Sequence, residues 1–409
     1  MKTLIVHNIS QLVTVFGPNT LRQGLQMRDA GIIEDGFIVV SDGKFIAVGQ
    51  GNDYLAFSGT KISGQGMTVI PGLIDSHTHL VHFGSRENDL KRQSQGETYL
   101  DILKSGGGIH ETVQKTQNAT FEQLFLKAKK SLDLMLSYGV TTVEAKSGYG
   151  LNLEAELKQL QVGKALNELH KQTIVNTFMG AHVIPQEYVG KEDNYIQELI
   201  KWMEVIQNEK LASFCDVFCE EGVFSLKQTR TILEKAKSLG FGLKMHADEM
   251  VSIGGAALAS ELKCHSVDHL LATSENDMEE IAKNKVVATI LPLTSFYLNK
   301  PMANARMMID KNCGIAIATD YNPGTSPSEN LQLAMQMVFL RGKLTPEEII
   351  TAVTINAAVS LGLEQRKGSI VVGKDADFVV LNAPNLAYML YHFGINHVQN
   401  VYLKGEKVY

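Results

Sequence analysis

A chain of 409 residues, 44% hydrophobic and 20% charged, exceeds one ordinary core and suits a large α/β barrel with an accessory domain. A net charge of −6 with no Lys/Arg-rich run gives no electrostatic case for nucleic acid, and no run approaches the ~18 apolar residues of a membrane span. Cys215, Cys219, Cys264 and Cys313 form no CxxC pair, and the apolar stretch behind Met1 is too short for a secretory leader, so a soluble, cytoplasmic protein is expected.

Residues 1 to about 70 read as short strands between glycine turns. Residues 36–40 and 44–49, flanking Asp42-Gly43, predict a hairpin. Strand-like runs return at 376–381 and 401–405. Two β-rich ends around a different middle predict that the termini meet in one small β-domain. The middle alternates strand-like runs with helical stretches, the pattern of βα units on a parallel sheet. The strand candidates are 73–77, 140–144, 174–178, 214–218, 242–246, 265–269, 286–291 and 315–319. Thr120 with Gln123, and Ser225 with Gln228, fit capping boxes, and Gly139 stands where a helix should stop after Tyr138. Eight such units predict a (β/α)8 TIM barrel.

Function in that fold sits at the C-terminal ends of the strands. His77 and His79 lie two apart at the end of the first, where alternate side chains share a side. His246 closes the fifth strand, His269 the sixth and Asp320 the eighth. Any one of these alone reads first as a satisfied polar residue, but five at strand ends can converge on one mouth. Three imidazoles and a carboxylate suit Zn or Fe.

The stretch Pro71-Gly72-Leu73-Ile74-Asp75-Ser76-His77-Thr78-His79, the histidines of the fifth and sixth strands, Asp320, and the tail Gly368-Ser369-Ile370-Val371-Val372-Gly373-Lys374-Asp375-Ala376-Asp377 together resemble the amidohydrolase superfamily. That resemblance implies a β-sandwich domain from 1–70 and 366–409 around a metal-dependent barrel, 71–365. It implies one divalent metal, Zn or Fe, on His77, His79, His246 and Asp320. Binuclear members place a carboxylated lysine at the end of the fourth strand. Here that strand ends in Cys219-Glu220-Glu221, and Lys146, after the second strand, reads as a salt bridge or loop contact. A bridging Glu220 stays open. Asp320 is expected to take a proton from water as well as to bind metal, and Glu249 to pass a proton to a departing nitrogen. His269 orients a carbonyl or serves as a further metal ligand.

Within that superfamily, several segments resemble the imidazolonepropionase family: His79-Leu80-Val81-His82-Phe83-Gly84-Ser85-Arg86-Glu87, Gly106-Gly107-Gly108, Lys146-Ser147-Gly148-Tyr149-Gly150, Phe178-Met179-Gly180-Ala181-His182, Asp320-Tyr321-Asn322-Pro323-Gly324-Thr325 and Tyr391-His392-Phe393-Gly394-Ile395-Asn396-His397. The resemblance implies that water on the metal attacks the ring carbonyl of 4-imidazolone-5-propanoate. The cyclic amide C–N bond breaks to give N-formimino-L-glutamate, the third step of histidine degradation. Arg86 would clamp the propanoate, with Tyr149, His182, Glu249, Asn322, Gly324, Thr325 and Tyr99 around the substrate. Taken alone, Tyr149 reads as a packing aromatic and Asn322 and Gly324 as turn residues. His82 stands where an apolar residue is expected, and His265 where a small one is. The resemblance also implies a homodimer. A guanine- or cytosine-type deaminase of the same superfamily is the enzymatic alternative, and a non-catalytic assembly barrel the other.

Overall fold

The computed structural model describes residues 3–98, 101–102 and 105–409. Both termini build the first sheet. Its strands are β1 (Leu4–Val13), β2 (Ile32–Ser41), β3 (Lys44–Gln50), β4 (Thr60–Ser63) and β5 (Thr68–Pro71). The expected hairpin forms between β2 and β3: Ser41 pairs with Lys44, and Asp42 and Gly43 both take positive φ, the two-residue turn that matches strand twist.

The parallel barrel follows. It comprises β6 (Leu73–Asp75), β7 (Val140–Lys146), β8 (Thr173–Ala181), β9 (Phe214–Cys219), β10 (Gly242–Ala247), β11 (Ser266–His269), β12 (Val287–Ile290) and β13 (Gly314–Ile317), hydrogen-bonded in sequence order. All eight expected strands are present, shifted by one to three residues at their ends. The ring closes just beyond the strands, where Asp320 N–H donates to His77 O at 3.0 Å and His79 N–H to Tyr321 O at 2.8 Å. Asp75 ties the seam further by accepting from the Thr319 amide at 3.0 Å and hydroxyl at 2.6 Å. Both expected capping boxes form, on helices Phe121–Ser137 and Leu226–Ser238. Gly139 follows the first of these at φ 87°, a conformation glycine adopts without strain.

The chain then returns as β14 (Phe378–Leu381), which pairs antiparallel with β5, followed by β15 (Val398–Leu403) and β16 (Glu406–Lys407). The expected final strand over 401–405 is instead a hairpin: Lys404 and Gly405 take positive φ and turn the chain. The sheet curls until Phe45 on β3 reaches within 6.1 Å of Phe378 on β14, which stacks on Tyr402. This sandwich-like core of Val6, Ile38, Phe45, Phe378 and Tyr402 is worth roughly 1.5–3 kcal/mol per large side chain removed from water.

Branched aliphatics usually fill such a barrel. Here Glu144, Lys146, Asp216, Lys244 and Asp268 are fully buried and pair with one another. Lys146 Nζ lies 2.6 Å from Asp216 and 3.0 Å from Glu144, and Lys244 Nζ 2.8 Å from Glu144. Buried charge persists only when paired in this way.

Candidate active site

Strand β6 stops at Asp75, two residues before the pattern suggested, so His77 and His79 stand on the segment that continues it. Their rings lie 5.7 Å apart, and the His246 ring is 4.5 Å from His77 and 5.1 Å from His269. Asp320 Oδ1 comes within 3.5 Å of His77 Nε2 and 3.7 Å of His79 Nε2. Two donor sets, His77–His246–His269 and His77–His79–Asp320, each gather their ligand atoms within 4.8 Å. The strand ends thus bring together all five residues read from the sequence.

The histidines are oriented from below. His77 Nδ1–H donates to Asp268 at 2.6 Å, and His246 Nδ1–H to Asp216 at 3.0 Å. That leaves His77 Nε2 and His246 Nε2 as buried nitrogens without a hydrogen-bond partner, along with His79 Nδ1 and His269 Nδ1. A carboxylate on one nitrogen and a bare lone pair on the other is how a metal-ligating histidine is normally held. Burial above all holds His77 and His79 well below the ordinary histidine range and brings His246 to about 3, so all three are neutral donors near pH 7. Burial raises Asp320 to about 6, against the pull of His269 and of the Thr294 hydroxyl bonded to it at 2.6 Å. The donor set fits a divalent cation.

A family model described as the amidohydrolase family matches residues 68–408. An imidazolonepropionase of Alkaliphilus oremlandii is 53% identical, with 98% of this chain and 97% of that protein covered. The corresponding values are 49%, 99% and 98% for an imidazolonepropionase of Fusobacterium nucleatum, and 44%, 100% and 97% for one of Bacillus cytotoxicus. The chain belongs to the amidohydrolase family, among its imidazolonepropionases. The fold has solved counterparts. An adenosine deaminase from Xanthomonas campestris with bound zinc superposes at TM-score 0.72 and 17% identity, covering 99% of this chain and 92% of that one. A triazine hydrolase variant superposes at 0.72 and 15%, covering 100% and 95%.

The donor cluster is flanked by polar groups on the loops after the strands. Arg86 Nε donates to Thr112 Oγ1 at 2.7 Å. With Gly324, Thr325 and Tyr297, Arg86 lines a cavity of about 490 Å³. His182 stacks on His79 at 4.9 Å and donates through Nδ1 to Gly148 O at 3.0 Å, and burial takes it to about 4. Tyr149 lies 5.6 Å from the His79 ring and 5.2 Å from that of His182. Asn322 builds its own loop: its side-chain oxygen accepts from the Gly324 and Thr325 amides at 2.8 and 2.7 Å, and its amide donates to Asp320 O at 2.7 Å. Glu249 Oε2 approaches His269 Nδ1 at 3.7 Å. His269, Asp320 and Asp248 all take positive φ, a strained backbone that clusters where function fixes it. Tyr99 lies outside the described residues.

Several expectations change. Glu220 stands outside the two donor sets, and both its oxygens accept backbone amides of the loop after β10. Lys146 is a buried ion-pair hub, as its position suggested. His265 packs edge-on against Phe214 at 5.0 Å, and His82 accepts from Lys127 Nζ at 2.7 Å, so neither joins the donor cluster. The triple glycine starts the helix Ile109–Asn118, with the Gly108 amide fixed on Asp89 at 2.9 Å. Sequence reasoning missed Asp216 and Asp268. Their signal was present: β7, β9, β10 and β11 carry charged or histidine residues at inward, alternating positions such as Glu144 and Lys146, or Lys244 and His246. Burial makes Asp268 harder to ionise while Lys244 and Lys146 oppose it. In Asp216 the neighbouring His246 and Lys146 outweigh burial and hold the carboxyl far below its usual range.

Proposed function

We propose that this amidohydrolase is an imidazolonepropionase, opening 4-imidazolone-5-propanoate to N-formimino-L-glutamate in the third step of histidine degradation. The observation that carries the reading is a cluster of bare histidine nitrogens beside one carboxylate, with the Arg86 guanidinium near enough to His182, the ring stacked on His79, to act on it electrostatically. His77, His79, His246 and Asp320 would hold one divalent metal, Zn or Fe. When bound, that ion lowers the pKa of water and polarises a carbonyl. A second ion would find no lysine at the end of β9, which runs into Cys219-Glu220-Glu221, and Lys146 on β7 is committed to Asp216 and Glu144.

The chain's own groups do the rest. Arg86, steadied by Thr112, pairs with the propanoate and fixes which ring edge faces the histidines. Tyr149 and His182 flank the flat ring. Asp320 accepts the proton of the water that adds to the ring carbonyl between the nitrogen and the propanoate-bearing carbon. His269 donates to the carbonyl oxygen as charge develops there. The C–N bond then breaks, and Glu249 delivers a proton to the leaving nitrogen.

Mixing purified protein with freshly generated imidazolone propanoate should extinguish the substrate's ultraviolet band, and Asp320→Asn should abolish the loss. Ammonia release from guanine or cytosine without ring opening would replace this reading with the deaminase alternative.

A further inference from the structure

We infer that Glu220 is a positioning residue for ring opening, one that fixes the acid–base residue Glu249 by binding the backbone on which it stands. The inference rests on the proposed function. Glu220 follows β9 and is completely buried, yet no lysine or arginine neutralises it among the ion pairs of the described residues. Its partners are amides. Oε2 accepts from Glu249 N–H and Met250 N–H, both at 3.0 Å, and Oε1 from Val251 N–H at 3.1 Å and Glu221 N–H at 3.2 Å.

The loop geometry explains this convergence. Asp248 takes φ 55° directly after β10, which folds the next three amides inward as a concave anion site. A side chain of the protein itself fills that site. The Asp248 carbonyl and carboxylate are separately tied to the Ala272 amide and the Thr273 hydroxyl, each at 2.8 Å. Those bonds fix the turn but not the residues beyond it. Met250 and Val251 are about half exposed and bring no apolar anchor. The Glu249 carboxylate, 3.7 Å from His269, therefore keeps its place through Glu220. Two strand ends, β9 and β10, are locked together at the one residue that must reach the leaving nitrogen.

Glu220→Gln tests this at nearly constant volume, because the new NH2 must face amide donors. The expected result is a kcat lower by roughly ten- to hundred-fold, the scale of an ångström-sized misplacement, with KM within about twofold. In a Glu249→Gln background the same change should cost almost nothing further, since the two act as one unit. Hydrogen exchange read by mass spectrometry should show amides 249–251 protected in the unsubstituted protein and freed in Glu220→Gln, with the remaining barrel unchanged. Glu220→Asp, which keeps the charge but shortens its reach, should fall between. Unaltered kcat in folded Glu220→Gln, costs that multiply with Glu249→Gln, or unchanged protection at 249–251 would each overturn the inference. Ring opening by the unsubstituted enzyme, measured alongside, tests the functional reading separately, and exchange at 249–251 reads the hold of Glu220 whatever the substrate.

Discussion

Gly324 leaves the space that the Arg86 guanidinium occupies: a Cβ at residue 324 would stand 2.3 Å from Arg86 Nη1 and 2.8 Å from its Cζ. The obstructed atoms are the far end of a flexible side chain, so Gly324→Ala should fold normally and displace the guanidinium. An ångström-scale shift of a bidentate anchor should raise KM by roughly ten- to hundred-fold, equal to about 1.4–2.7 kcal/mol of lost binding. Arg86→Ala should do the same, and the double variant should be little worse than either single one. Steady-state kinetics on the three proteins checks this. A KM for Gly324→Ala equal to that of the unsubstituted enzyme would remove Arg86 from the substrate's carboxylate.

Asp268 holds His77 through Nδ1, so Asp268→Asn should weaken the metal before it weakens the fold. Loss of such an outer carboxylate typically costs 10- to 100-fold in metal affinity. The same should hold for Asp216→Asn through His246. Competition against a chromophoric chelator measures the affinity without relying on turnover, and an affinity unchanged in both variants would contradict the arrangement.

The fold was readable from periodicity because each βα unit writes its own local signal. The same holds for the donors at the mouth, since His77, His79, His246, His269 and Asp320 each lie at or just beyond the C-terminal end of a strand. What lay beneath them was not. Alternation puts Asp216, Lys244 and Asp268 on the inward side of their strands, but which of them pair is decided only when eight strands close and those positions meet. Glu220 shows the reverse problem. A carboxylate near a metal site invites a ligand role, but three of its four amide partners come from a loop that begins almost thirty residues later. Lys127 and His82 meet across forty-five positions for the same reason.

Chelation should destabilise the protein as well as silence it. The buried rings of His77, His79 and His246, each with a nitrogen that no protein group bonds, would lose their partner when the ion leaves. A ligand present at 100 to 1,000 times its Kd adds about 2.7–4.1 kcal/mol, so removal should lower Tm by several degrees. Restoring either Zn or Fe should recover Tm and activity together. A Tm indifferent to chelator would leave these nitrogens without an explanation as ligands.

Lys127 gives the pH dependence of stability a defined sign. It is largely buried, donates to His82 Nε2 at 2.7 Å, and burial lowers it to about 8 despite Glu329. The unfolded chain, with an ordinary lysine near 10.5, therefore binds more protons than the folded one between pH 8 and 10.5. Stability rises with pH wherever the unfolded state holds the extra proton. From this group alone, moving from pH 7 to pH 9 should add on the order of 1 kcal/mol. Lys127→Met removes the titration, so its urea midpoint should gain less over that interval than the unsubstituted protein's, by about that amount. Midpoints at the two pH values for both proteins decide it, and an equal gain in the variant would place the titrating group elsewhere.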